Sequence, residues 1–225
     1  MQKPQKILIV GATGGSGRAA IEELLCAGHW VTAFSRHADE LAGISDAVAI
    51  FNGDATNQED VDRAVRGHDA VIVTLGISEN PLSVRLFGSA RTPLDVRSAG
   101  TRNVIRAMRT HGVRRLVVQS SFGVGETRND LRPLDRLFFS LVLKPQITDT
   151  EAQELEVRAS GLDWVLAQPV HLTDDDNDGM PFASADGQVR KMNISRKCVA
   201  RFLVHAAYAP DYVGRSVALS GRGTS

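Results

Sequence analysis

Three glycines near the start of the sequence are spaced for phosphate chemistry. Gly11, Gly14 and Gly17 lie in the segment GATGGSG, which follows the largely apolar run KILIV. Glycines in such a turn let backbone amides approach a phosphate without obstruction by Cβ atoms, and the positive end of a following helix stabilises the anion. The spacing is also compatible with a plain tight turn or with a fold that has lost its ligand. Its place between a strand pattern and a helix pattern favours dinucleotide binding.

The residues after the second predicted strand indicate which dinucleotide would fit. An NAD site has a carboxylate there for the ribose 2′-hydroxyl, whereas an NADP site has a cation for the 2′-phosphate. This chain has Ser35, Arg36 and His37 at that point, and Asp39 comes too late. Arg18, directly after the third glycine, is a second guanidinium suited to phosphate. We predict NADP, with NADPH preferred over NADH, the alternative being that both arginines are ordinary surface residues.

Two further strand ends complete the predicted cofactor site. Asp54 follows the third strand, where a carboxylate can hydrogen-bond an adenine edge, and Gly76 follows the fourth, where a small residue lets the chain pass close to the cofactor. Both segments are also typical of ordinary turns. The predicted cofactor-binding residues are Gly11, Thr13, Gly14, Gly15, Ser16, Gly17, Arg18, Ser35, Arg36, Asp54, Ala55, Leu75, Gly76 and Ser120.

The elements that would position these residues alternate between strand and helix. Strands are predicted at residues 6–10, 29–35, 47–51, 70–75, 115–119 and 163–167, with a weaker seventh at 216–219. Helices are predicted at 18–27, 95–108 and 195–208, and after two capping boxes, Thr56 with Glu59 and Thr148 with Glu151, as far as about Val65 and Ala159. The strands are continuously apolar, which is typical of a sheet covered on both faces.

This alternation predicts an α/β fold: a single Rossmann-type doubly wound parallel sheet of six or seven strands with helices on both faces. One NAD(P)-binding domain would span residues 1–225. Substrate-side loops are predicted at about 76–94, 122–148 and 169–192, and the second of these could be a lid or ordinary connecting structure.

Composition excludes several other classes of protein. Lys plus Arg and Asp plus Glu balance at 26 each, which disfavours a nucleic-acid partner. No apolar stretch is long enough for a membrane span, and no signal peptide is evident, so we expect a cytoplasmic protein. Cys26 and Cys198 form no metal-binding pair and are expected to be buried thiols. The acidic run at 174–178 lacks the alternating spacing of a calcium loop, so we expect no metal site.

Several motifs together carry a family resemblance. The segments GATGGSGRAAIEELL, NGDATNQEDVDRAV, HDAVIVTLG, SAGTRNVIRAMRTHGVRRLVVQSS and EVRASGLDWVLAQPVHLTD resemble atypical short-chain dehydrogenases/reductases, in particular the flavin reductases of the NmrA-like NAD(P)H-binding branch. The resemblance covers residues 5 to 220. It implies that Arg36 reads the 2′-phosphate and that Ser121 and His171 are catalytic residues. Segment 122–146 departs from that group, so substrate preference does not carry over.

The tyrosines constrain the reaction. Neither Tyr208 nor Tyr212 is followed four residues later by Lys, so the Tyr-x-x-x-Lys relay that oxidises secondary alcohols is absent. A flavin or other conjugated acceptor needs less from the protein, because its ring stabilises the charge that arrives with a hydride. We therefore predict an NADPH-dependent reductase acting on such a small molecule.

Two other functions remain open at this point. One is a non-enzymatic NmrA-like sensor that binds NADP(H) and changes its protein contacts; the other is a reductase or isomerase of specialised metabolites. Ser121 could equally be a strand-end hydroxyl that bonds its own backbone, and His171 a structural histidine.

Overall fold

An eight-stranded sheet forms the centre of the molecule. The computed structural model describes residues 3–76, 92–125, 127, 144–177 and 179–223, and the predicted lid or connecting segment lies largely outside them. The strands of this sheet are β1 (Lys6–Val10), β2 (Trp30–Ser35), β3 (Val48–Asn52), β4 (Ala70–Val73), β5 (Arg115–Gln119), β6 (Asp163–Pro169), β8 (Phe182–Ser184) and β10 (Arg215–Ser220). A second sheet pairs β7 (His171–Thr173) with β9 (Asn193–Ser195).

The strand order is β3-β2-β1-β4-β5-β6-β10-β8, and every pair is parallel except the last. The order reverses between β1 and β4, so their carboxyl ends open a crevice of the kind that binds ligands in open α/β sheets. The predicted doubly wound parallel sheet is confirmed. Its strand count is eight rather than six or seven, because the three-residue β8 is too short to show a period in the sequence.

Within the described ranges, five helices cover the sheet: α1 (Gly15–Cys26), α2 (Gln58–Val65), α3 (Val96–His111), α4 (Lys144–Arg158) and α5 (Arg196–Tyr208). A 3₁₀ turn spans Ala38–Leu41. One core joins Ile7 and Ile9 of β1 to α1 and α5. The other joins Leu8 and Val10 to α2, α3 and α4. Successive side chains of β1 therefore enter opposite cores, which explains why the strand reads as continuously apolar.

Both predicted capping boxes were placed wrongly. Asn57 caps α2, because its side chain accepts from the amides of Glu59 and Asp60, while Thr56 donates to Asp54. Thr148 lies inside α4, which begins at Lys144. Helix α3 is capped from a distance, since the buried carboxylate of Asp149 accepts from the amides of Arg97 and Ser98, both at 3.0 Å.

Two smaller expectations concern the cysteines and the membrane. Cys198 is buried as predicted, but Cys26 is exposed near the end of α1. Among the described residues, no helix is both long and apolar enough to cross a membrane.

Candidate functional site

The turn between β1 and α1 needs its glycines for different reasons. Gly11 has a φ of +92°, and a Cβ there would lie 2.9 Å from the Thr74 carbonyl. A Cβ on Gly17 would lie 2.4 Å from the Gly11 carbonyl oxygen, which the backbone cannot accommodate. Gly14 differs, because the nearest atom to its Cβ would be the Gly11 oxygen at 3.4 Å. Gly11 and Gly17 therefore let the turn close, whereas Gly14 keeps space above it clear.

The positive end of the α1 dipole is not offset by any side chain of its own first turn. Its N-cap is Gly14, which has no side chain to accept from the first amides, and its first turn contains no acidic residue. Exposed amides and the helix dipole at such an end favour an anion. This is the location that the glycine spacing predicts for a diphosphate.

A cleft opens above this turn along the carboxyl ends of the first four strands. It contains nine of the predicted cofactor-binding residues: Gly11, Thr13, Gly14, Ser35, Arg36, Asp54, Ala55, Leu75 and Gly76. Seven residues that were not predicted also line it: Phe34, His37, Gly53, Thr74, Thr92, Pro93 and Val96. The remaining predicted residues, which are Gly15, Ser16, Gly17, Arg18 and Ser120, do not line this cleft.

The carboxyl end of β2 holds two groups suited to a phosphate. The hydroxyl oxygen of Ser35 is buried and has no hydrogen-bond partner among the described residues. Arg36 lines the same cleft, and its Nη2 donates to Thr92 Oγ1 at 3.0 Å. A buried hydroxyl without a partner is costly, so a ligand oxygen there would remove a penalty as well as add a contact.

Arg18 points elsewhere. Its Nε donates to the Thr13 carbonyl at 3.0 Å, and its Nη2 pairs with Glu40 Oε2 at 3.0 Å. These contacts hold the glycine turn to the 3₁₀ segment. The predicted phosphate contact of Arg18 therefore competes with these partners. Arg36 also has a partner, Thr92, but it lines the cleft, which Arg18 does not.

The loop after β3 is braced by its own side chains. One carboxylate oxygen of Asp54 accepts from the amide and the hydroxyl of Thr56, both at 2.8 Å. The Asp54 amide donates to Asp60 at 3.0 Å, and this bond is the main reason that the pKa of Asp60 lies below its ordinary value. Asn103 on α3 donates to the Ala55 carbonyl. The wall predicted to receive adenine is thus preorganised.

Arg97 is a cation beside the cleft that the sequence reading missed. Its Nη2 lies 3.1 Å from where a Gly76 Cβ would stand, which is tighter than an ordinary contact, so a side chain at position 76 would press against the guanidinium. Burial lowers the pKa of this guanidinium, and nearby Asp149 opposes the shift. No local pattern could have identified Arg97, because its position depends on how α3 packs against the end of β4.

The predicted catalytic residues lie at the ends of two adjacent strands. Ser121 follows β5, is half-buried, and its hydroxyl donates to the Phe122 carbonyl at 3.3 Å. His171 begins β7 just after β6, and its side chain is exposed. The Phe122 amide donates to the Pro169 carbonyl at 2.9 Å, which ties the two segments together. Their catalytic roles stay predictions.

A buried polar network lies behind this strand pair. Ser120, predicted to bind cofactor, instead donates to Glu154 Oε1 on α4 at 2.5 Å. The same oxygen accepts from Gln168 at 2.8 Å, while Glu154 Oε2 pairs with Arg158 at 2.9 Å. The Glu154 side chain is completely buried. This network was also missed, since its members come from three separate elements.

The chain matches the family model described as NAD(P)H-binding over residues 11–210. It belongs to the NAD(P)H-binding family. This confirms the resemblance to the atypical short-chain dehydrogenase/reductase and NmrA-like group.

The chain is also similar to individual proteins of known sequence or structure. An uncharacterised chloroplastic protein of Arabidopsis thaliana is 27% identical over 91% of this chain and 72% of its own. The structure of ChuY, described as an anaerobillin reductase from Escherichia coli O157:H7, has a TM-score of 0.78 at 23% identity and covers 98% of both chains. A short-chain dehydrogenase/reductase of Veillonella parvula, solved in complex with NADP, has a TM-score of 0.79 at 17% identity and covers 99% of this chain and 97% of its own. The last two likenesses show the fold alone.

The described residues fit a dinucleotide of this family. Gly14 leaves the space above the α1 amides open, and the Ser35 hydroxyl, which has no partner in the described part of the chain, supplies a donor in the same cleft. The chain is thus an NAD(P)H-binding protein whose cleft lies at the switch point of its sheet.

Proposed function

We propose that this NAD(P)H-binding protein is an NADPH-dependent reductase that passes a hydride to a flavin-like or other conjugated small molecule. The observation that carries the proposal is that the carboxyl end of β2 presents two groups to the same cleft, the buried Ser35 hydroxyl and the Arg36 guanidinium. Both groups suit a 2′-phosphate, and no carboxylate stands at that strand end to repel one. The fold likeness to a protein described as an anaerobillin reductase is consistent with reductase chemistry.

Each side chain then has a limited task. Arg36, oriented by Thr92, and Ser35 hold the 2′-phosphate, while the amides at the start of α1 hold the diphosphate. Bound NADPH supplies the hydride. Ser121, which follows β5, and His171, which follows β6, orient the acceptor.

Protonation of the reduced acceptor needs no buried acid. The His171 side chain is exposed and so is in contact with water. A conjugated ring holds the incoming negative charge until water or His171 delivers the proton. Catalysis is then mainly a matter of positioning, which explains how the protein can act without a Tyr-x-x-x-Lys relay.

Turnover by the purified protein tests the proposal. NADPH mixed with the protein and FMN should lose its nicotinamide absorbance at a rate that depends on both protein and acceptor. His171→Asn should slow turnover while leaving NADP⁺ affinity unchanged. Binding of NADPH without turnover across flavins, quinones and linear tetrapyrroles would overturn the reductase proposal and favour a sensor.

A further inference from the structure

The first residues of two helices meet beside the glycine turn. A Cβ on Gly15, which begins α1, would lie 2.8 Å from Nε and 2.9 Å from Cδ of Arg196, which begins α5. The absence of a side chain at Gly15 therefore makes room for the Arg196 side chain. Farther along the same helices, Arg201 and Glu23 form an ion pair at 3.3 Å, which fastens α5 against α1.

This placement of Arg196 works against helix stability. A cation at a helix N-terminus is repelled by the helix dipole, and α5 begins with two, Arg196 and Lys197, and no acid in its first turn. In this structure both cations pair with carboxylates that are 86% exposed, Arg196 with Asp174 and Lys197 with Asp176. The N-terminus of α1, which has no acidic residue in its first turn, lies beside Arg196. An arrangement that is unfavourable for the helix is expected where an anion offsets it.

The partner of Arg196 in this structure is easily exchanged. Its Nη1 pairs with Asp174 Oδ1 at 2.5 Å, but the Asp174 side chain is 86% exposed. Ion pairs with so exposed a partner contribute little, because water screens the attraction. A guanidinium has five N–H donors, so an anion could replace Asp174 or share the group with it.

We propose that Arg196 binds the diphosphate of the dinucleotide from the α5 side, in competition with Asp174. This inference rests on the proposed cofactor site and adds to it a residue 181 positions away from Gly15 in the sequence. The two arginines then bind different parts of the cofactor: Arg36 binds the 2′-phosphate, and Arg196 binds the central diphosphate.

Calorimetry with a whole cofactor and a fragment tests this division. NADP⁺ carries both the diphosphate and the 2′-phosphate, whereas adenosine 2′-monophosphate carries only the latter. Arg196→Gln should weaken NADP⁺ binding by about tenfold to a hundredfold, the range for a charge-assisted hydrogen bond, and leave the fragment within about twofold. Arg36→Gln should weaken both ligands. Arg201→Gln, on the same helix but away from the turn, is the matched control and should change neither.

Asp174→Asn provides a second test that does not touch the arginine. Removing the exposed competitor should tighten NADP⁺ binding by about twofold to threefold, as expected for a solvent-exposed ion pair. The inference is overturned if Arg196→Gln affects neither ligand, if it weakens both equally, or if Asp174→Asn weakens NADP⁺. If the unaltered protein binds neither ligand, the cofactor site itself is refuted and Arg196 with it. Binding of both ligands with no selective effect of Arg196 refutes only the present inference.

Discussion

Replacement of Glu154 by Gln is expected to destabilise the fold far more than its conservative chemistry suggests. The carboxylate is completely buried and accepts three hydrogen bonds, from Ser120, Gln168 and Arg158. A glutamine has one acceptor oxygen and an amide that only donates. An amide in place of Oε2 faces the Arg158 guanidinium, and an amide in place of Oε1 faces the Gln168 amide, so a donor meets a donor in either orientation. Arg158 also loses the negative charge of Glu154.

The size of the effect follows from these contacts. A hydrogen bond to a charged group contributes about 1.5–3 kcal/mol, and Arg158 is 24% exposed, so water restores little of the loss. We expect the free energy of unfolding to fall by about 2–3 kcal/mol, and the Tm by about 5–10 °C for a chain of this length. Urea unfolding followed by circular dichroism at neutral pH measures this change.

Glu156→Gln is the matched control on the same helix. Glu156 pairs with Arg102 at 2.8 Å on the surface, where the two side chains are 35% and 54% exposed. Its loss should lower stability by less than about 1 kcal/mol. Equal effects of the two replacements would show that the buried network contributes no more than a surface ion pair, which would refute the reasoning.

Three further predictions concern the cleft and pH. Arg36→Asp should weaken NADPH by about tenfold to a hundredfold and NADH much less, and equal losses in calorimetry would refute the phosphate contact. Gly14→Ala should leave the Tm nearly unchanged but abolish NADP⁺ binding, whereas Gly17→Ala should lower the Tm sharply, because only its Cβ would meet backbone within 2.4 Å; the opposite pattern would contradict the roles assigned. Burial lowers the pKa of His29 from 6.5, and its Nδ1 accepts from the Gln5 amide. Its contribution to stability is therefore complete above about pH 6.5 and lost as the pH falls towards the folded-state pKa, so His29→Gln should flatten the stability profile measured by urea unfolding between about pH 7 and 5.5. An unchanged slope would count against this.

Local patterns predicted most of the scaffold. The strands at 6–10 and 115–119 have the predicted bounds, and the other predicted strands differ by one or two residues at one or both ends. Such segments are recognisable because alternate side chains of a strand enter the two cores on opposite faces of the sheet, so the strand is an almost continuous apolar run. The three-residue strands β7, β8 and β9 were missed, since three residues show no period, and their existence depends on neighbours supplied by the fold.

Capping was harder to predict than the helices themselves. Thr56 and Asn57 both suit an N-cap, and the choice between them depends on the Asp54 carboxylate, which takes up the Thr56 hydroxyl. Thr148 was a plausible helix start by its spacing to Glu151, yet α4 begins four residues earlier, and Asp149 beside it caps a different helix. Short patterns cannot distinguish a cap from a residue whose partner lies on another element.

The amino-acid sequence by itself determined the glycine turn, the order of strands and helices, and the presence of Arg36 rather than a carboxylate after β2. All of these features are local: they depend on the conformational preferences of residues that are adjacent in the sequence and on the residue types that directly follow each strand. Only the tertiary structure decided which distant groups meet: Thr92 at Arg36, Arg97 at Gly76, and Arg196 at Gly15. Each of these contacts depends on how helices pack across the sheet edge, because side chains far apart in sequence become neighbours only after the strands have paired.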